Sequence, residues 1–396
     1  MADRDPLTAL QEAPWSAARA AAHLVATRLD AEQVGVHELD ARVLAQDCVA
    51  QCALPSFDSS AMDGWAVAGR GPWAIVGDVL AGRPHDGALS IGTCVRIATG
   101  GVVPEGATAV LRWEDADVRD GLVHGETDEG RDIRPAGEEC AVGDLVARAG
   151  TRVAPALAGL LAATGHDEVA VVRRPRVALL LLGDELLTSG VPERGRVRDS
   201  LGPQLPGWVA RAGAVVASAL QVPDDPPSLR ASVLDAVESA DLVITTGGTA
   251  DGPRDHVKAM VAELNGDLLV DRVAVRPGHP MLLAALPGIG GGRVPLIGLP
   301  GNPHSAIVGF VTLALAVIDA MLGIPPVRLG TLRAGEELRT PPGHTRLIAG
   351  TAVDGVFVLS PYGGSAMLRG LAQSTGFAVV SERVPAGAEV EWLPLP

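Results

Sequence analysis

The chain has almost no lysine. Of its 32 Lys and Arg residues in 396, Lys258 is the single lysine, so arginine fills every other cationic position. Aromatic residues are only 3% of the chain, too few for the stacking platforms that bind single-stranded nucleic acid. The formal net charge of −15 argues against a polyphosphate backbone as partner. The four cysteines, Cys48, Cys52, Cys94 and Cys140, contain no C-x-x-C pair. That spacing suits free thiols in a reducing compartment better than a zinc site or disulfide framework. The N-terminus, MADRDPLTALQEAPW, lacks the apolar core of a signal peptide. The longest apolar run, Ala306–Ile318, stops at Asp319, short of the ~20 residues a bilayer span requires, and reads as a buried helix. These absences predict a soluble cytoplasmic protein that binds neither nucleic acid nor membrane.

What is present centres on DLVITTGGTADGPRDHVK, Asp241–Lys258. A short apolar run, Leu242–Thr246, leads into Gly247 and Gly248, and a helical segment follows. A buried strand, a glycine loop and a helix N-terminus together expose backbone N–H groups to an anion. Lys258 lies one helical turn from Asp255, where a compact ammonium suits a geometry that a guanidinium fork does not. The plainer reading is a strand–loop–helix unit with an incidental surface lysine.

The rest of the chain changes character along its length. Residues 1–53 are Ala-rich, with Trp15, Ala18, Ala22 and Val25 on one helical face, and 141–174 return to helix at Pro155–Thr164. Residues 54–140 alternate short β-like runs with Gly, Pro and Asp turns, which predicts an inserted β-rich domain. From 175 to 325, strands at Arg176–Leu182, Ala214–Val222, Leu242–Thr246 and Val294–Leu299 alternate with helices near 203–212, 227–239, 254–264 and 303–322. This is an α/β pattern with a parallel sheet. Residues 326–396 read as a small β barrel or sandwich.

Ligands of open α/β sheets bind beyond the carboxyl ends of the strands. Four strand endings there would gather Glu185, Asp224, Asp255 and Lys258 with two backbone-rich loops, Gly247-Gly248 and Pro300-Gly301-Asn302-Pro303-His304-Ser305. Oxygen ligands without a His/Cys cluster favour Mg²⁺ over Zn²⁺. The β-rich region carries SFDSSAMDGWAV, where Asp58 and Asp63 either cap a turn or serve chemistry, and RIATGGVVPEGATAV, which places Thr99 beside two glycines. His124, His279 and His304 read as structural or solvated, and no nucleophilic triad stands out.

In order, SFDSSAMDGWAV, RIATGGVVPEGATAV, RPAGEEC, LLGDEL, RVRDS, DLVITTGGTADGPRDHVK, RPGHPM and GLPGNPHSA resemble the MoeA family of molybdopterin molybdenumtransferases, to which the gephyrin E domain is also similar. The resemblance implies an elongated homodimer of four-part subunits, with the active site between the α/β domain of one and the β domain of the other. It implies Mg²⁺-dependent insertion of molybdate into adenylylated molybdopterin with release of AMP. The implied partners are molybdopterin adenylyltransferase and molybdoenzyme apo-proteins. Carried over by motif, the catalytic set is Asp63, Thr99, Glu185, Asp224, Asp255 and Lys258, with Glu185, Asp224 and Asp255 as metal ligands. Gly247, Gly248, Arg276, His279, Pro300, Gly301, Asn302, Pro303, Ser305 and Ser365 are the implied cofactor-binding positions.

The chain departs from the family pattern at several points. Ala250 and Pro253 replace the usual Ser and Glu, and K-P-G-K-P becomes Arg276-Pro277-Gly278-His279-Pro280. Leu182, Leu201 and Trp65 replace Thr, Asn and Tyr. His279 would be only partly cationic near neutral pH. These departures keep open a molybdopterin carrier or scaffold with little turnover. An adenylyltransferase is a third reading, opposed by the two flanking β regions.

Overall fold

The computed structural model describes residues 9–80, 82–250 and 256–396. The chain divides into two compact units, Met1–Glu32 with Val172–Pro396, and Gln33–Val171.

The first unit is built on a seven-stranded sheet of β1 (Leu10–Ala13), β2 (Arg176–Leu182), β3 (Val215–Val222), β4 (Leu242–Thr246), β5 (Asp267–Val273), β6 (Leu282–Pro287) and β7 (Arg293–Leu299), in the order β1-β5-β6-β7-β4-β2-β3. β3, β2, β4 and β7 run parallel. β2 is apolar almost throughout because both its faces are covered, leaving only Arg176 exposed. Helices α1 (Trp15–Leu24), α2 (Leu205–Arg211), α3 (Pro226–Ser239) and α4 (Val257–Glu263) accompany the sheet. Asp225 caps α3 by accepting from Ser228 N–H, Pro226 opens it, and Leu229, Val233, Ala236 and Val237 form its buried stripe. The core under the site combines Ala178, Leu180, Val243, Leu282 and Leu296 with that stripe.

The sheet is mixed, where the alternating pattern predicted a parallel one. β6 pairs antiparallel with both β5 and β7. The connections explain this, since the few residues between β5 and β6, and the glycine-rich turn 288–292, are too short for a parallel crossover. β1, absent from the sequence reading, adds to β5 in parallel. The apolar run near the C-terminal side belongs to a 20-residue helix, Pro303–Leu322 (α5), long and apolar enough to cross a membrane, whose most apolar window is entirely buried within the fold. One π turn interrupts it at Phe310–Ala314, where Thr312 Oγ1 donates to Val308 O and accepts from Trp15 Nε1.

The same unit ends in a small barrel of Gly330–Ala334, Thr345–Val353, Val356–Leu359, Gly376–Val380 and Glu389–Pro394. The pairing of Thr345–Val353 with Gly376–Val380 closes it. Phe357, Ala378, Val390 and Trp392 fill its interior.

The second unit holds a six-stranded sheet of Asp117–Arg119, Leu122–His124, Trp73–Val79, Thr93–Ile97, Gly64–Val67 and Ala109–Arg112, in that order. Gly64–Val67 was not foreseen as a strand. It is central and covered on both faces: Trp65 and Val67 join one core, Ala66 and Ala68 the other, so no polar alternation marks it. Gly64 is required by close approach, because a Cβ there would lie 2.1 Å from Leu111 O. A separate cluster around Leu39, Leu44, Leu161 and Val171 includes the helix Pro155–Ala163.

Candidate functional site

The carboxyl ends of β2, β3, β4 and β7 open into one cleft of about 810 Å³. Glu185 follows β2, Asp224 follows β3, Gly247–Ala250 follow β4, and Pro300–Pro303 follow β7, and all line it. The order β3-β2-β4 puts the chain reversal of an open sheet at this edge, so neighbouring loops diverge and leave a crevice. Asp225 is engaged in capping α3, which leaves its neighbour Asp224 facing the cleft. Asp224 and Asp184 brace each other: Asp184 N–H donates to Asp224 Oδ2 at 3.3 Å and Asp224 N–H to Asp184 Oδ1 at 3.2 Å. Gly247 and Gly248 have φ of 82° and 66°, left-handed conformations that glycine adopts without strain, and Gly247 N–H donates to Leu299 O at 2.8 Å.

The far wall comes from the C-terminal domain, through Ala366 and Leu368. Three contacts clasp this loop to the start of α5. Ser305 N–H donates to Ser365 O at 3.2 Å, Asn302 Nδ2 donates to Ser365 Oγ at 3.5 Å, and His304 Nδ1 donates to Gly364 O at 3.1 Å. Ser305 thus sits behind the cleft rather than in it. His304, 1% exposed, stacks on Phe377, and its Nε2 has no hydrogen-bond partner among the described residues. Burial pulls its pKa below the ordinary imidazole value, against the opposing effect of the Gly364 hydrogen bond.

Other anticipated residues lie elsewhere. Asp255, and with it Pro253, falls outside the described residues. Lys258 does not line the cleft: its Nζ lies 2.7 Å from Oδ1 of buried Asp271 on β5, the strand beside α4. Arg276 is exposed on the short strand Val275–Arg276, which pairs with Thr345–Val353. His279 Nε2 lies 3.4 Å from Glu12 Oε1, and only its neighbour Pro280 reaches the cleft. Burial first, then the Arg276 charge, lower the His279 pKa more than Glu12 raises it.

The cleft also contains residues to which no role had been assigned. Arg198, Asp199, Ser200 and Leu201 line it. Asp199 Oδ1 accepts from the N–H groups of Leu201 and Gly202, both at 2.9 Å, and shapes the turn before α2. The signal was the RVRDS segment, but a single acidic turn residue gives no clue to its function.

In the second unit, Asp63 Oδ1 accepts from Thr99 N–H at 2.6 Å and from Thr99 Oγ1 at 3.0 Å. These bonds, led by the backbone one, hold the Asp63 pKa below the usual carboxylate range. Asp58 Oδ1 accepts from Ala136 N–H at 2.7 Å, the capping alternative. Trp65 stacks on Trp113 with centroids 5.2 Å apart, and the Arg96 guanidinium lies 4.7 Å from the Trp113 centroid.

Among the described residues no group of three His, Cys, Asp or Glu side chains converges. Two carboxylates, Glu185 and Asp224, line the cleft, and Mg²⁺ characteristically takes one or two from protein with the rest from water and substrate phosphate. The residues fit a hard, oxygen-ligated cation shared with a phosphorylated ligand.

A cleft at the strand ends of an open α/β sheet, walled by a small barrel, defines a multidomain α/β protein that binds its ligand at the sheet edge. Residues 13–165 match the MoeA N-terminal region (domain I and II), 178–320 a probable molybdopterin binding domain, and 331–395 the MoeA C-terminal region (domain IV). The chain is 33% identical over 376 residues to molybdopterin molybdenumtransferase 2 of Mycobacterium tuberculosis, covering 88% of this chain and 91% of that one. It is 31% identical over 294 residues to a molybdopterin molybdenumtransferase of Staphylococcus aureus, covering 71% and 69%. In fold it resembles a molybdopterin biosynthesis MoeA protein from Pyrococcus horikoshii, with a TM-score of 0.78, 24% identity and coverage of 97% and 99%. The chain belongs to the MoeA family of molybdopterin molybdenumtransferases.

Proposed function

We propose that the chain acts in molybdenum cofactor biosynthesis by inserting molybdate into adenylylated molybdopterin, hydrolysing the adenylyl bond and releasing AMP. The observation that carries this reading is the convergence of Glu185 and Asp224 with the Gly247-Gly248 and Pro300–Pro303 loops in one cleft. Amides of the glycine loop beyond Gly247, whose own N–H is bonded to Leu299 O, and of the turn before α5 would hold phosphate oxygens, since backbone N–H groups at such loops need no charge to attract an anion. Glu185, Asp224 and Asp255 would hold Mg²⁺. When bound, the ion supplies Lewis acidity at the phosphoanhydride. Asp199 fixes the turn that borders the substrate, and the clasp at Ser365 keeps water-exposed wall residues in register. Asp63 and Thr99 form the second constellation that the family reading assigns to catalysis, contributed within a homodimer. The reading further places the protein in the cytoplasm, receiving substrate from an adenylyltransferase and passing cofactor to apo-enzymes.

The lowered pKa of His279, Lys258 engaged with Asp271, and Ala250 at the cleft wall support a rival reading, a carrier that binds the pterin with little turnover. AMP release from adenylylated molybdopterin, measured with Mg²⁺ in the presence and absence of molybdate, separates them. Molybdate-stimulated release is expected. Tight pterin binding without release would overturn the transferase reading for this chain.

A further inference from the structure

A second cavity of about 390 Å³ adjoins the cleft, and Ser200 and Leu368 belong to the walls of both. It is lined on one side by Trp208 and Arg211 of α2, and on another by Leu368 and Leu371 of the C-terminal domain. The indole is held in place. Gln204 Nε2 donates to Ser200 O at 2.8 Å, and Gln204 Oε1 accepts from Trp208 Nε1 at 3.4 Å. The Arg211 guanidinium lies 5.6 Å from the ring centroid. In a chain with only six tryptophans, one is thus oriented, half-buried and set beside apolar walls and a cation at the mouth of the cleft.

We propose that this cavity is a ring subsite, in which Trp208 stacks on a planar, nitrogen-rich bicyclic ring of the substrate whose phosphates occupy the cleft. This rests on the adenylylated-pterin reading above. An aromatic face against a heteroaromatic ring suits either the pterin or the adenine, and Arg211 faces the polar edge or adjoining phosphate of either. The shared walls set the reach: a ligand with phosphate at Gly247-Gly248 would extend its ring past Ser200 and Leu368 without leaving protein.

The test uses two variants. Trp208→Ala removes the stacking face. Gly207→Leu blocks the space instead: Gly207 lines the cavity, and a Cβ added there meets no atom within 4 Å. Binding of AMP, of a pterin monophosphate and of inorganic phosphate is measured by calorimetry on the full chain, alongside molybdate-stimulated AMP release by the wild type. The expected result is a loss of roughly 5- to 150-fold in affinity for one ring-bearing probe in both variants, with inorganic phosphate unchanged. Loss for AMP alone assigns the site to adenine, and loss for the pterin alone assigns it to the pterin. Unchanged affinity for both in folded variants overturns the subsite while leaving the transferase reading intact. Wild-type protein that binds neither ring nor releases AMP overturns both.

Discussion

Two sets of acidic residues in this molecule have the same chemistry and opposite states. Asp63, in the second unit, is committed: one oxygen already accepts from both Thr99 groups, and its pKa is lowered accordingly. Glu185 and Asp224, in the first unit, border an open cleft, and among the described residues the Asp224 carboxylate accepts one long hydrogen bond, from Asp184 N–H at 3.3 Å. One oxygen of Asp63 is spent on shaping the loop that the family reading also assigns to catalysis. A carboxylate left facing a cavity beside phosphate-binding amides is available to a cation. Motif matching treats these residues alike, and only their partners distinguish them.

The strongest way to break that contrast is to neutralise both open carboxylates. Glu185→Gln with Asp224→Asn is expected to lower molybdate-stimulated AMP release on the order of 100-fold or more, with an unchanged melting temperature. A large loss of thermal stability instead would mean that these groups hold the fold. Around the committed carboxylate the expectation reverses. Gly64→Ala drives a Cβ into Leu111 O and should cost about 3 kcal/mol, seen as a lowered denaturation midpoint. Asp63→Ala, which leaves Thr99 N–H without its acceptor, should shift the midpoint in the same direction by less.

Asp241 offers a control in which a carboxylate is structural by every measure. Burial raises its pKa, but hydrogen bonds from Arg173, at 2.7 Å to each oxygen, and from Arg176 N–H at 2.8 Å outweigh burial and leave it lowered. Because it ties the start of β4 to the start of β2, Asp241→Ala should destabilise by about 2 kcal/mol, read in urea unfolding. An unperturbed midpoint would show that the pair adds nothing to the registration of the site strands.

The smallest effect is in pH dependence. The His304 pKa is lowered, so the unfolded chain takes up that proton first. Stability contributed by neutral His304 is complete above about pH 6.5 and declines as pH falls from there toward the folded value. Asp63 has the carboxylate sign: its contribution is present above about pH 3.9 and is lost only as pH falls through its lowered folded value. Acidification from pH 7 to 5 should therefore weaken the wild type more than His304→Leu, while Asp63→Ala leaves that slope unchanged. Equal slopes in wild type and His304→Leu would remove His304 from the clasp.

Much of the α/β domain was legible in the residues. The runs Arg176–Leu182 and Leu242–Thr246 became strands with those same bounds, because parallel strands buried on both faces need continuous apolar sequence and glycine or acidic loops at their ends. That pattern also located Glu185, Asp224 and the two glycine-containing loops at one edge. The strand Gly64–Val67 was not legible, since burial of both faces in four residues leaves no period, nor was the β5–β6–β7 meander, whose short connections decide its direction. Lys258 shows the limit most plainly. Its spacing from Asp255 in sequence suggested a local pair, yet the position of β5 beside α4 brings Asp271 to its ammonium.

By itself, then, the sequence determined which segments would be buried strands, which loops would expose amides, and which acidic residues stood at strand ends, because these depend on local composition and period. The tertiary structure alone decided which carboxylates are satisfied and which remain open, how the C-terminal loop closes the cleft through His304 and Ser305, and that Trp208 stands at its mouth. Those outcomes depend on groups far apart in the chain, where partner choice is set by packing rather than by spacing.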